Sequence, residues 1–298
     1  MFLSYFEPLY LGLILYFIIY TINIKMSEDI IFVTAYRDIG RSNWNVIPRT
    51  NETYCNNFYK YASRIKYNLV VFIEEKIKSY LLDNYNFNSN IIFYDIDLTD
   101  TFFKKYLNTE NSIINSIIYK KKIPEHRNGA PEHLYAEYNL VNHSKINYVR
   151  KAKELFNGYK FYTWIDFGIR LPENSTVYNS INLKNIPKKI IYQNLGLFLP
   201  EKNVETEPDM MLSSHTIYFA GSIFIVHADL VLTYELLYEN KLRELQEKYI
   251  VDDDQNVVLQ LYLDNKDIFF MPSVTKFPEL NIPIGTNEWF KLYEFFAN

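Results

Sequence analysis

The stretch "DIIFVTAYRDIGRSNW", residues 29–44, decides how the chain folds. Its first half, "DIIFVTAY", is a continuous β-branched and aromatic run that stops at polar residues, the mark of a buried strand. Three more runs have the same form: "NLVVFIE" (68–74), "NIIFYDI" (90–96) and "FYTWID" (161–166). Longer amphipathic stretches alternate with these short runs, which is the pattern of an α/β domain and not of separate helical and strand halves.

Working outward, "KKKIPEHRNGAPEH" (120–133) reads as an ordered loop in a long insertion between the third and fourth strands. A helical period then runs through 134–156, "LYAEYNLVNHSKINYVRKAKELF", into the fourth strand. The polar, Pro-containing region from Leu171 to Pro208 has little regular pattern and is expected to form loops or a lid. Beyond it, "IYFAGSIFIVHA" (217–228) reads as a strand and 228–249 as an amphipathic helix. "VDDDQNVVLQLYLDN" (251–265) reads as a capped helix, and "DIFFMP" (267–272) as a last strand. No internal repeat divides the chain, so residues 26–298 are expected to form one domain.

Composition narrows the function. The 298 residues are 48% hydrophobic and 17% aromatic with a formal net charge of −4, which argues against disorder and against a nucleic-acid partner. Heavy use of Asn, Ile, Lys and Tyr fits an AT-rich genome. The single cysteine, Cys55, excludes an intramolecular disulfide and a Cys-rich zinc site, and it reads as a packed thiol. Residues 1–25 are a separate apolar segment. Leu9 to Ile24 carries no charge over 16 residues, short of the roughly 20 that span a bilayer. Residues 9–24 therefore read either as a membrane anchor, leaving the domain on the cytoplasmic side, or as an upstream extension or docked helix. Met26 offers an alternative start.

Ligands of open α/β sheets bind beyond the carboxyl ends of the strands, so residues just after the runs are the first candidates. "TAYRDIGRSNW" combines a hydroxyl, an aromatic ring, two arginines and a glycine, able to stack on a base and pair phosphate oxygens. It is neither a Walker loop nor a GxGxxG fingerprint; the alternative is a loop salt bridge between Asp38 and an arginine. Asp166, in "WIDFGI", either caps a turn or binds a hard divalent cation, with Gly168 allowing close backbone approach. Of "DDDQ", Asp252 to Gln255, one or two residues cap a helix, and one of them, with Gln255 as a hydrogen-bonding partner for hydroxyls, could face a sugar. The pair Asp95 and Asp97 in "YDID" has metal-like spacing but is short enough to arise by chance.

Taken in order, "IIFVTAYRDIGRSNW", "YNLVVFIEE", "PEHLYAEYNLVNHSKINYVRKA" and "YTWIDFGI" resemble the HtrL/YibB family of bacterial proteins, also seen in large DNA viruses. The resemblance covers about residues 29–170, with a looser continuation through "AGSIFIVHAD" and "VDDDQNVVLQLY". That family resembles GT-A glycosyltransferases, which implies a Rossmann-like, mixed but mostly parallel sheet flanked by helices in a single domain. The second half is similar to glycogenin-like transferases at Ala220-Gly221 and Asp254-Gln255. The implied activity is transfer of a sugar from a nucleoside diphosphate sugar to a hydroxyl of a glycan or protein acceptor. By position, Thr34, Ala35 and Tyr36 would contact the nucleoside, and Arg41 and Lys145 the diphosphate. Asp254 or Asp253 would take the acceptor proton, with Gln255 beside them. Asp166 falls where such enzymes place the first acid of their Asp-x-Asp motif, and Gly168 where they place the second. A Mn or Mg ion would then need Asp166 together with a distant ligand such as His227 or an acid of the 252–254 cluster. Two other readings stay open: a non-catalytic nucleotide-sugar-binding protein, for which the departure at Gly168 argues, and a membrane-tethered interaction protein, for which the apolar start argues.

Overall fold

A sheet whose strands are buried on both faces must be covered by helices on both. The computed structural model describes residues 29–178, 180–196, 198–213, 216–272 and 291–296. Seven strands form one sheet: β1 (Ile30–Tyr36), β2 (Leu69–Ile73), β3 (Ile91–Asp95), β4 (Phe161–Ile165), β5 (Ile190–Asn194), β6 (Phe219–His227) and β7 (Phe269–Phe270). The order across the sheet is β3-β2-β1-β4-β6-β5-β7. The first four run parallel; β6 is antiparallel to both β4 and β5, and β7 is parallel to β5. This is a single α/β domain with a mixed, mostly parallel sheet, as expected.

Alternation along β1 splits the core in two. Ile31 and Val33 pack toward one face and Ile30 and Phe32 toward the other. The second face is covered by α1 (Asn51–Ala62) and α2 (Glu75–Asn84), through Phe58, Tyr61, Ile77 and Leu81, and by the turn Leu292–Phe296. The first face carries α3 (Phe102–Asn115), α4 (Ile117–Lys122), α5 (Pro131–Leu134), α6 (Ala136–His143), α7 (Lys145–Leu155), α8 (Pro208–Ser213), α9 (Val231–Glu247) and α10 (Asp254–Asp264). Cys55 is buried on α1, and burial pushes its thiol up to about 11, in keeping with a packed side chain. Residues 1–25 lie outside the described residues. Among the described residues no helix is long and apolar enough to cross a membrane.

Three expectations need correction. The Leu171–Pro208 region is not all loop, because it contributes β5, whose five residues are all buried. Two of the five, Gln193 and Asn194, are polar: the Gln193 Oε1 accepts from the distant Lys291 N–H at 3.0 Å, and the Asn194 amide bonds the backbone of Gly196 and Phe198 just beyond the strand. So short and mixed a run carries no strand pattern on its own. The helical period over 134–156 is also broken, at Ser144, into α6 and α7. Ser144 Oγ and Asn147 Oδ1 accept from the N–H groups of Phe103 and Phe102 at 3.0 and 2.9 Å, capping the otherwise unpaired first turn of α3. The stretch 120–133 is likewise more than loop, containing a 3-10 turn at Glu125–Arg127 and α5.

On α3, Glu110 is fully buried and accepts from Gln246 Nε2 at 3.0 Å. Burial pushes its carboxyl up to about 8. A carboxyl raised in the folded state binds more protons than in the unfolded chain, so its contribution to stability is lost as pH rises from about 4.5 to about 8. Glu110→Gln mimics the neutral form. It should stabilise the protein by about 1–3 kcal/mol at pH 8.5 and by little at pH 4.5, measured by urea unfolding; an equal effect at both pH values would contradict the assignment.

Candidate functional site

The chain runs outward from β1 through β2 to β3 and then returns to β4 on the other side of β1. Loops diverge at such a switch point and leave a crevice at the carboxyl ends of the strands. A cleft of about 520 Å³ lies there, lined by residues that follow β1, β3 and β4 and by the start of α7. Its charge is one-sided. Arg37, Arg41, Arg49, Arg170 and Lys145 line it against one carboxylate, Asp166. Among the described residues, carboxylates pair with Arg64, Arg127 and Arg150, whereas the four cleft arginines have no carboxylate partner.

The loop after β1 is built to aim Arg41 into this space. Gly40 adopts φ 71°, a left-handed conformation suited to glycine. Asp38 accepts from Gly40 N–H at 2.8 Å and from Asn51 Nδ2 at 2.7 Å, so it closes the turn and does not pair with an arginine. Asn51 in turn accepts from the Tyr36 hydroxyl at 2.6 Å. Arg41 Nη1 donates to the Tyr54 hydroxyl at 2.8 Å, and the guanidinium lies over the rings of Trp44 and Tyr138.

At the floor stands Lys145, 5% exposed. Its Nζ lies 2.9 Å from Asp254 Oδ2, 3.2 Å from Asp166 Oδ1 and 2.9 Å from the Gly221 carbonyl oxygen. Because Lys145 opens α7, where the helix dipole disfavours a cation, the two carboxylates must hold it there. Burial alone would lower the lysine; Asp166 and Asp254 outweigh it and raise the ammonium above its ordinary range, so it stays charged. Burial raises the Asp254 carboxyl, against the pull of Lys145. Gly221 has to be glycine, since a Cβ there would sit 2.8 Å from an Asp254 carboxylate oxygen. Asp166 is positioned from both sides: its N–H donates to the Ser222 carbonyl at 2.9 Å, and Trp164 Nε1 donates to Oδ1 at 2.6 Å.

Gly168 is explained by close approach. A Cβ at this position would meet the Tyr54 ring at 2.4 Å, so the aromatic ring fills the space where a second acid would start. Among the described residues no three His, Cys, Asp or Glu side chains converge as a cation site. The donor set therefore does not fit a divalent ion: one acid is missing, and the two that remain share an ammonium.

The other expected residues divide. Ala35 and Tyr36 line the cleft, whereas Thr34 is fully buried in the sheet and does not. His227 is not brought to Asp166; it pairs with Phe161 at the far end of β4, while Ile223 pairs with Ile165 beside the site. Its Nδ1 accepts from the Asp229 N–H instead. Asp253 caps α10, accepting from the Gln255 N–H at 3.0 Å, and Asp254 turns inward to Lys145. Asp252, Asp253 and Gln255 line a second depression of about 200 Å³ with Arg127 and Glu132. Burial pushes Asp252 up to about 7, and burial with its neighbours Asp252 and Asp254 raises Asp253. The exposed Asp95 and Asp97 are taken by Lys78 and by Thr99 with Lys151. Tyr54, Arg49 and Tyr138 are cleft residues that sequence patterning did not single out, because each joins the site only through tertiary packing.

Fold and cleft together define an α/β protein with a cationic crevice at the switch point of its sheet. The chain belongs to the HtrL/YibB family: a family model described as "Bacterial protein of unknown function (HtrL_YibB)" matches residues 28–298. It is similar to Protein HtrL of Escherichia coli (strain K12), with 24% identity over 287 residues that cover 92% of this chain and 94% of that protein. The family match thus extends past residue 170 through the second half of the domain.

The cluster sets unequal costs for its two acids. Asp254→Ala strands a buried ammonium and should cost about 3–5 kcal/mol. Asp166 has a side chain 35% exposed, so Asp166→Ala should cost about 1 kcal/mol or less. Denaturant unfolding at pH 7 separates them; equal costs would contradict the arrangement.

Proposed function

We propose that this protein is a glycosyltransferase, moving a sugar from a nucleoside diphosphate donor to a hydroxyl of a glycan or protein acceptor. One observation carries the reading: in a chain of net charge −4, four arginines without carboxylate partners among the described residues converge with a buried lysine on one crevice at the switch point of the sheet. Guanidinium groups pair phosphate oxygens two at a time, and a cluster of them suits a diphosphate better than a neutral ligand. The half-buried Tyr138 ring in the same wall, beside Arg41, offers an aromatic surface to a base.

In the transfer, the acceptor oxygen forms a bond to the anomeric carbon of the donor sugar, and the bond from that carbon to the diphosphate oxygen breaks. The electron pair leaves with the diphosphate, where Arg37, Arg41, Arg49 and Lys145 stabilise the growing charge. The acceptor proton goes to a carboxylate. Asp254 is committed to Lys145, so Asp253, which lines the second depression with Gln255, is assigned as that base, and the acceptor enters from that side. The Tyr54 ring over Gly168 favours a second reading, a nucleotide-sugar binder without turnover, under which donor would bind and nucleotide would never be released.

Full-length protein incubated with a panel of UDP- and GDP-sugars should release nucleoside diphosphate, and Arg41→Ala should weaken donor binding by about tenfold or more. Because the base must be ionised, turnover should rise with pH. Asp252→Asn removes a neighbouring negative charge that raises Asp253, so it should move the rising limb to lower pH. No release from any donor would exclude transfer, and an unmoved limb would remove Asp253 from the proton step.

A further inference from the structure

The distances around Lys145 carry a consequence for the transfer proposed above, on which this inference rests. Its ammonium touches two carboxylates and one carbonyl oxygen, all at 2.9 to 3.2 Å. A lysine ammonium has three N–H donors, and these three oxygens match them. The same three oxygens would otherwise be a reasonable partial ligand set for a hard divalent ion, which binds carboxylates and carbonyls at about 2.0–2.6 Å. An ion bridging Asp166 and Asp254 would have to occupy the space of the ammonium.

We infer that Lys145 is the resident cation of this site, standing where a divalent metal would bridge Asp166 and Asp254, and that the protein binds the diphosphate of its donor without a metal. Four features agree. The lysine is held by interactions that keep it charged. Its Nζ is fixed by groups from three separate elements: β4 through Asp166, β6 through Gly221 and α10 through Asp254. The place of a second acid after Asp166 is filled by the Tyr54 ring. Tyr54 in turn holds Arg41, so the residue that excludes the acid also positions a guanidinium facing the same cleft.

The geometry also says which contact opens for the ligand. Asp254 and Gly221 are buried on the inner side of Lys145, whereas Asp166 is the more exposed partner and the longer contact. Both the Trp164 N–H and the ammonium use Asp166 Oδ1. A phosphate oxygen arriving from the cleft replaces the Asp166 contact on Lys145, while the Trp164 bond retains the carboxylate nearby to accept from a hydroxyl of the donor.

Two measurements on the full-length protein test this. In the first, UDP and GDP are titrated calorimetrically in EDTA and again in Mn²⁺. Wild type should bind the preferred nucleotide with affinities that agree within about threefold. Lys145→Gln keeps hydrogen-bond donors for Asp254 and Gly221 but not the charge, and should lose about tenfold or more in both buffers. Wild-type binding that needs Mn²⁺ by more than about tenfold, or undiminished binding by a folded Lys145→Gln, would overturn the inference. In the second, Mn²⁺ is titrated into nucleotide-free protein and followed by electron paramagnetic resonance. No bound Mn²⁺ sensitive to Asp166→Asn or Asp254→Asn should appear, and a bound ion that either variant removes would overturn the inference. If neither nucleotide binds in either buffer, the nucleotide-sugar reading fails, and the Mn²⁺ titration alone decides whether Lys145 excludes the metal.

Discussion

A charged lysine cannot stay inside a protein unless something holds its charge, and the rest of this site follows from how Lys145 is held. Burying an ammonium costs several kcal/mol before any partner is counted, and it is retained only when geometry and hydrogen bonding are nearly complete. Here Asp254, Asp166 and the Gly221 carbonyl complete it. Each constrains its own neighbourhood: Gly221 lacks a side chain so that Asp254 can approach, Asp254 turns inward while Asp253 caps the helix, and Trp164 braces Asp166. The cluster therefore joins two central strands to α7 and α10 at the switch point, where the sheet leaves a crevice.

Topology explains why the positive charge collects there. The segments that follow β1 and β4 diverge on either side of the switch point, and each carries arginines beyond its strand: Arg37 and Arg41 after β1, Arg170 after β4. A crevice between low-dielectric walls focuses the field of these arginines, while at its floor the charge of Lys145 is offset by Asp166 and Asp254. A second depression gathers Glu132, Asp252 and Asp253 with Arg127; Arg127 pairs with Glu132, and burial holds the two aspartic acids above the usual carboxylate range.

The strands were legible in the sequence because parallel strands buried on both faces leave continuous apolar runs; β1 to β4 fall within a residue or so of "DIIFVTAY", "NLVVFIE", "NIIFYDI" and "FYTWID". β5 was not legible, since two of its five residues are polar, Gln193 meeting the distant Lys291 and Asn194 the turn that follows the strand. The break at Ser144 was hidden for a similar reason: its hydroxyl serves α3, not its own helix. Of the site, Asp166, Lys145 and Asp254 could each be singled out, but not their meeting. Lys145 was expected at the diphosphate, and its bond to two acids arises only when β4, β6 and α10 are assembled. The role of Tyr54 above Gly168 was equally out of reach, because a ring from α1 has to be laid against a turn more than a hundred residues later.

The central claim, that a protein-borne cation meets the leaving diphosphate, is tested most directly by a crystal structure of the protein grown with its preferred nucleoside diphosphate and excess Mn²⁺, with data collected at the manganese edge. The account expects a phosphate oxygen about 3 Å from Lys145 Nζ, Asp254 still bound to the lysine, and no anomalous peak between Asp166 and Asp254. An anomalous peak bound by these two carboxylates, with Lys145 displaced, would contradict it.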